Sequence, residues 1–356
     1  MAQKDDVTVI TLSPGGPLHV GLFIGEEREA ALEWVPSDTL FAALVSAWAA
    51  LDLDVPALLQ GFREGDPPFL LTSAFPRAGA VRFYPRPWLR PRPAGLLERK
   101  RAKRLRWVSE GIFRRLLGGE SLQGEDDDQN FLHEGKVWLT RTERDLLPEA
   151  VLAGEGLIWK HQVVPHVAVD RRENRSNLFH AGRVEFAAGC GLWFGLRWRR
   201  PETLSPDLVD RALDYLGQAG LGGLRSIGHG AFAWEKEESS LPSAQGPLAI
   251  TLSRYAPCDA SELGETLLGD PHTAYRLVLV GGWCRDDALH PWRRRSLRLV
   301  AEGSLLAWDG RSVAGHLVDV TPQGVGAFGP NHRVLRYGYA FPATVNSKAL
   351  AEEELP

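Results

Sequence analysis

The chain has 356 residues, 44% of them hydrophobic and 24% charged, so it carries enough apolar material for real cores, and its length favours two domains over one. No stretch reaches the roughly 18 uninterrupted apolar residues of a membrane span, and Cys190, Cys258 and Cys284, with no C-x-x-C pair among them, exclude a disulfide framework and a zinc finger. The net charge of −4 hides a segregation: between Arg82 and Arg115 twelve basic residues face two acidic ones, which suggests that one face meets a polyanion.

The opening MAQKDD lacks an apolar h-region, and with a reducing compartment implied by the cysteines the expectation is a cytoplasmic protein. Val7 to Leu12 alternates β-branched and apolar residues and predicts a first strand, broken by the Pro14-Gly15-Gly16-Pro17 run before Leu18 and His19. After Pro36, the Ser37-Asp38-Thr39 run offers an N-cap. Apolar residues then recur at helical spacing, which predicts a helix over about 39–51 whose N-terminus could meet a phosphate, with Ser37 at its mouth.

Residues 69–74 and 80–84 predict a strand pair. Four prolines between Pro85 and Pro93 then force an extended path. Residues 96–117 read as one basic helix presenting Arg99, Lys100, Arg101 and Lys103, bracketed by Trp88 and Trp107, and aromatics beside cations suit unpaired bases. The acidic stretch GGESLQGEDDDQN at 118–130 reads as a mobile loop, not a metal site, and His161 and His166 lack the cysteines of a zinc site. No metal or cofactor site is expected anywhere in the chain.

Residues 167–170 and 183–186 predict strands joined by a mostly polar stretch of twelve residues, too many for a tight turn. This is expected to be a protruding β-arm displaying Arg171, Arg172, Asn174 and Arg175. Residues 192–198 predict a strand, and 205–219 a helix with Pro206 in its first turn and Gly220 at its end. Then comes LGGLRSIGHGAF. Gly222, Gly223, Gly228 and Gly230 permit positive φ and close approach of another chain to the main-chain N–H groups; Arg225 and Ser226 sit beside them, and His229 lies between two of the glycines. The reading is an anion cradle, against the plainer alternative of a glycine-rich turn. Without a Gly-Lys-Ser/Thr it is not a phosphate loop of an NTPase. A closing strand at 231–234 and a polar linker at 235–247 come next, and beyond them lie period-two segments at 248–252, 275–280, 296–300 and 333–341.

The pattern G-x-G-G-x-R-S-x-G-x-G-x-F from Gly220 to Phe232 resembles the glycine-rich loop of the RAMP superfamily of CRISPR proteins. With VPSDTLFAAL (35–44), FYPRPW (83–88) and VAVDRRENRSNLF (167–179), the chain is similar from Leu18 to about Phe341 to the Csm subunit that caps the 5′ handle of the guide RNA in type III-A complexes. Ile227 departs from the pattern, where many relatives carry a second serine. The resemblance implies an α+β protein of two ferredoxin-like (RRM-like) RAMP domains, at 1–238 and 247–356, with the arm near 167–186 as a thumb pressed against the guide. It implies a non-catalytic subunit that binds the crRNA 5′ handle and docks the large polymerase-like subunit and an adjacent backbone RAMP subunit, without a membrane. The alternatives are a metal-independent RAMP endoribonuclease, for which His19 and His229 are the acid/base candidates, and the equivalent subunit of a type III-B complex.

Overall fold

A computed structural model describes residues 6–23, 28–89, 99–154, 156–170, 175–286, 290–322 and 333–350. Its largest sheet is built on the strands Val7–Pro14, Cys190–Trp198, Phe75–Ala78 and Phe232–Ser239. Across that sheet the order is 232–239, 7–14, 190–198, 75–78, and every one of these pairings is antiparallel. The helix Ser37–Ala50 comes between the strands Val7–Pro14 and Phe75–Ala78, and the helix Pro206–Ala219 between Cys190–Trp198 and Phe232–Ser239; the two helices pack on each other, with Leu40, Phe41, Leu44 and Trp48 buried on one and Val209, Leu213 and Leu216 on the other. Trp48 is fully buried, and its Nε1–H donates to the Leu208 carbonyl at 2.8 Å. The sheet extends through Val81–Pro85, Trp107–Ser109, Val137–Trp138 and Phe131–Leu132.

The C-terminal half is mixed α+β as well. A three-stranded sheet of Leu305–Ala307, Leu248–Thr251 and Pro342–Val345 is joined by two-stranded ladders and a short helix, Ala260–Leu263, that sequence periodicity did not show. One apolar core runs through both halves: Phe41 packs at 5.0 Å from Tyr337, and the Tyr339 hydroxyl donates to the Phe62 carbonyl at 2.6 Å. A buried polar network crosses the same seam. Asp38 is wholly buried and pairs with Arg254 at 3.0 Å and Arg336 at 3.1 Å, while the Ser73 hydroxyl accepts from the Ser37 N–H and donates to Glu302.

That network overturns one expectation. Ser37 is fully buried, its hydroxyl accepts from the Arg254 N–H at 2.9 Å, and the position before the helix is Pro36, so this helix start presents nothing to a phosphate.

Three further expectations change. The basic run is a short helix, Arg99–Arg104, then the strand Trp107–Ser109, then a second helix, Glu110–Gly118, because Trp107 and Val108 pair into the sheet and the Ser109 hydroxyl caps the second helix. Trp107 is therefore core, donating from Nε1 to Glu33 at 3.0 Å, and is closed to bases, whereas Trp88 keeps 39% exposure. The acidic 118–130 stretch packs through buried Leu122 and through Glu125, which pairs with Arg115 at 3.0 Å and accepts the Arg141 N–H at 2.9 Å. Glu235 to Ser239, expected as linker, continues the edge strand paired with Val7 to Thr11.

Candidate RNA interface

The arm is longer than its sequence suggests. Trp159–Asp170 and Arg175–Phe186 pair antiparallel along their whole length, from Trp159 opposite Phe186 to Asp170 opposite Arg175, a ribbon of roughly 40 Å at the usual rise per residue. Most of the supposed loop is strand. Arg171, Arg172 and Asn174 lie outside the described residues, and Arg175 opens the return strand.

The root of this ribbon meets the glycine loop through one short segment. Leu18 exchanges both backbone hydrogen bonds with Val184 at 2.8 Å, the His19 carbonyl accepts from Gly223 N–H at 2.8 Å, and the Pro17 carbonyl accepts from Gly230 N–H at 2.8 Å. His19 is buried with Nδ1 2.5 Å from the Gly182 carbonyl, which ties the same segment to the arm a second time. Arm root, residues 17–19 and glycine loop thus form a single joint. The tie is backbone to backbone, so periodicity could not reveal it.

Within the loop the glycines have different duties. A Cβ on Gly222 would meet the His19 carbonyl oxygen at 2.4 Å, one on Gly223 the His19 ring at 2.7 Å, and one on Gly230 the Leu221 carbonyl oxygen at 2.1 Å, so these three allow the loop to fold against its own chain. Gly228 differs: its φ is +87°, and nothing lies within 4 Å of where a Cβ would stand. The cradle expected from the glycines is correspondingly narrower, because the N–H groups of Gly223, Ile227, Gly228 and Gly230 are given to acceptors in the protein itself. What the loop offers outward is exposed Gly223 and Gly228 with exposed Arg225, Ser226 and Ile227, the last three in a one-turn helix entered through Leu224 at φ +57°; of the two glycines only Gly228 has open space where a Cβ would stand.

His229 lies beneath this surface with 6% exposure, and among the described residues neither ring nitrogen has a hydrogen-bond partner. Burial holds its imidazole below the ordinary histidine value. The nearby Ile227 carbonyl opposes this, and Arg183, His19 and His166 reinforce it. Arg183, whose guanidinium also holds Gln162 at 2.7 Å and Glu185 at 2.8 Å, and His166 are the members of this cluster that sequence reading did not assign to RNA; only the strand register brings them to the loop.

The basic helix is elsewhere. Its following strand, Trp107–Ser109, stands five strand positions from Phe232–Ser239, about 24 Å at the usual spacing. Arg101 pairs with Asp128 and covers the Phe131 ring, while Lys103 and Arg104 are exposed; the side chains of Arg99 and Lys100 are outside the described set. Among the described residues there is no group of three or more potential metal ligands, and no helix is long and apolar enough to cross a membrane.

Comparison with known proteins fits this architecture. Residues 244–345 match the CRISPR Csm4 C-terminal domain. The chain is 25% identical over 319 residues to the CRISPR system Cms protein Csm4 of Thermococcus onnurineus (strain NA1), covering 87% of this chain and 91% of that one. Its fold is similar to chains in the crystal structure of a Csm3-Csm4 subcomplex of the type III-A interference complex (TM-score 0.64, 14% identity, 95% and 99% covered) and in that of a Csm1-Csm4 cassette with cA4 (TM-score 0.57, 19% identity, 96% and 98% covered). The chain thus matches the CRISPR Csm4 C-terminal domain over residues 244–345 and is similar to Csm4 along most of its length.

Proposed function

We propose that the chain is the non-catalytic subunit that recognises the 5′ handle of the guide RNA in a type III-A Csm complex, docking the large polymerase-like subunit on one side and a backbone RAMP subunit on the other, in the cytoplasm. The observation that carries this reading is the joint: a long β-ribbon, the two buried histidines His19 and His229 and an outward-facing glycine loop meet at one place, with Arg225 and Gly228 on its surface. In this reading the N-terminal half, residues 1–238, is a ferredoxin-like RAMP domain, since a strand-helix-strand, strand-helix-strand chain with the observed antiparallel order is that fold's signature. Residues 247–356 form the second domain, and the ribbon is the thumb. His19 and the buried His229 hold the joint, while Arg225, Ser226, the surface of Gly228 and the thumb residues Arg171, Arg172, Asn174 and Arg175 contact the handle; Lys103 with Arg99 and Lys100 offers a second, purely electrostatic contact.

The endoribonuclease reading gains little support. A general acid/base pair must reach the substrate, yet both rings are buried and His19 commits Nδ1 to the Gly182 carbonyl. The test is binding and cleavage of a repeat-derived handle RNA by purified protein, with and without divalent metal. Tight, salt-sensitive binding without scission is expected; specific scission lost in His229→Ala would overturn the non-catalytic assignment.

A further inference from the structure

A second surface stands apart from the joint, in the extension of the large sheet. There the strand Val81–Pro85 ends and the strands Trp107–Ser109 and Val137–Trp138 begin, so three neighbouring strand ends bring Arg86, Arg106 and Lys136 side by side. The Arg106 carbonyl accepts the Arg86 N–H at 2.9 Å, and the Lys136 carbonyl accepts the Arg106 N–H at 2.8 Å. At the usual spacing between strands the three backbones span about 10 Å. Arg106 and Lys136 are exposed, as are Lys103 and Arg104 just upstream, and among the described residues none of these four is in an ion pair.

Beside these cations one tryptophan is turned outward. Pro87 and Leu89 are buried, whereas Trp88 between them is 39% exposed. The segment is pinned on both sides: Arg86 is bonded to Arg106, and the Gly303 carbonyl accepts the Trp88 N–H at 2.8 Å. Gly303 has φ +83°, and a Cβ on it would meet the Arg86 carbonyl oxygen at 2.5 Å, so the missing side chain is what lets residues 85–88 lie against the C-terminal half. The Arg86 guanidinium sits 5.6 Å from the centroid of the Trp88 ring. Burial draws the indole of Trp107 into the core; that of Trp88 is held out in water by a fixed backbone, with a cation at its face.

We infer that Trp88 and these cations form a stacking site for single-stranded RNA, separate from the glycine loop, in which an unpaired base lies on the indole and the phosphates beside it run across Arg86, Arg106 and Lys136. For the choice of RNA as the strand, the inference rests on the reading proposed above. Charge of one sign around a single aromatic ring holds an unpaired strand without reading its sequence. A protein partner needs an apolar centre, and among the described residues of 75–140 Trp88 is the only exposed large apolar side chain. A duplex keeps its bases stacked on each other and has none to give the ring. A further stretch of the guide and a separate strand present the same chemistry, and the test tells them apart.

The test is anisotropy of a labelled oligouridylate of about twelve nucleotides, without the handle sequence, on the full-length protein. Trp88→Leu keeps an apolar side chain against the protein but removes the ring, and should weaken binding at least about fivefold; Trp88→Phe keeps a ring and should stay within about twofold of the parent. Arg106→Ala/Lys136→Ala changes exposed positions, so the melting temperature should hold while the slope of log affinity against log salt falls by about 1.4. Gly228→Asn should bind the oligouridylate as the parent does. Oligouridylate that still binds protein saturated with a guide extending beyond the handle makes a separate strand the occupant; displacement by that guide makes it the guide itself. Parent-like affinity in Trp88→Leu, equal losses in Trp88→Leu and Trp88→Phe, or loss in Gly228→Asn alone overturns the site. If the parent binds handle RNA and the Trp88 variants match it on the oligouridylate, this inference falls and the proposed function stands. If the parent fails to bind the handle yet holds the oligouridylate through Trp88, the proposed function falls and the site stands.

Discussion

Substitution at Gly228 and at Gly230 separates a glycine kept for an outside partner from one kept for the fold. Gly230→Ala brings a Cβ to 2.1 Å from the Leu221 carbonyl oxygen and 2.7 Å from the Leu221 nitrogen, and Leu221 N–H is itself bonded to the Gly230 carbonyl at 2.9 Å, so no flexible side chain can yield. The loop has to open, and with the strain of an L-residue at φ +81° the loss should be about 3 kcal/mol or more. Gly228→Ala meets no neighbour and carries only the backbone term, about 1–2 kcal/mol, which lowers the melting temperature by a few degrees in a chain of this size. Asparagine tolerates the left-handed region best of the side-chain-bearing residues, so Gly228→Asn removes most of that strain while still placing a side chain on the surface offered to RNA. Melting temperature and anisotropy of labelled handle RNA should be measured on all three. The expected pattern is a destabilised Gly230→Ala and a folded Gly228→Asn whose RNA affinity falls at least tenfold, about 1.4 kcal/mol. A Gly228→Asn protein that melts like the parent and keeps full RNA affinity would refute the close-approach argument.

Other expectations rest on particular contacts. Arg225→Ala should weaken handle binding by about 1.5–3 kcal/mol, the range of a charge-assisted hydrogen bond, without moving the melting temperature, because Arg225 is exposed. Asp38→Asn should destabilise the protein by about 3–5 kcal/mol in urea titrations, since Arg336 would remain buried without a carboxylate and Arg254 would keep only Glu302, at 3.7 Å; a change below about 1 kcal/mol would show the seam to be hydrated. His133 supplies a pH dependence. Its Nε2 accepts the Ile158 N–H at 2.8 Å, and burial, with Lys136 and His161 adding to it, holds its pKa down at about 4. The unfolded chain therefore takes up a proton near pH 6.5 that the folded one refuses until about 4, so stability is full above 6.5 and declines as pH falls through that window, by up to about 3 kcal/mol. His133→Gln should flatten that decline in urea melts taken between about pH 7 and 4.5. Finally, changing Lys103 and Arg104 to Ala should lower the slope of log affinity against log salt by about 1.4 if both neutralise phosphates of a single strand; an unchanged slope assigns this helix to solvent.

How much could be read in advance depended on the range of the forces involved. The helix Pro206–Ala219 ends where Gly220, at φ +85°, says it should, and the helix Ser37–Ala50 lies within two residues of its predicted bounds, because proline, glycine and 3.6-residue periodicity act locally. Four short strands of the C-terminal half, Leu248–Thr251, Leu277–Val280, Leu297–Val300 and Leu335–Tyr337, were visible for the same reason, whereas Leu305–Ala307 and Pro342–Val345, which flank Leu248–Thr251, were not. Errors arose where a partner distant in sequence decides. Trp107 looked like part of a basic helix until two strands claimed it, and Glu235 to Ser239 looked like linker because an exposed edge strand can be polar wherever its backbone is paired.

The candidate site divides along the same line. By itself the sequence determined the α+β character, the charge segregation, the glycine-rich loop with its Arg225, and the resemblance to RAMP proteins, since composition and short motifs survive without knowledge of contacts. Tertiary structure alone decided which loop glycine has open space around it. It buried Ser37 against Arg254, 217 residues away, and set Lys103 apart from the loop. It also gathered His19, His166, Arg183 and His229 into one cluster. The physical reason is that burial, and the pairing of one backbone with another, belong to the folded chain: the same histidine or serine is a ligand, a strut or a filler according to what packs against it.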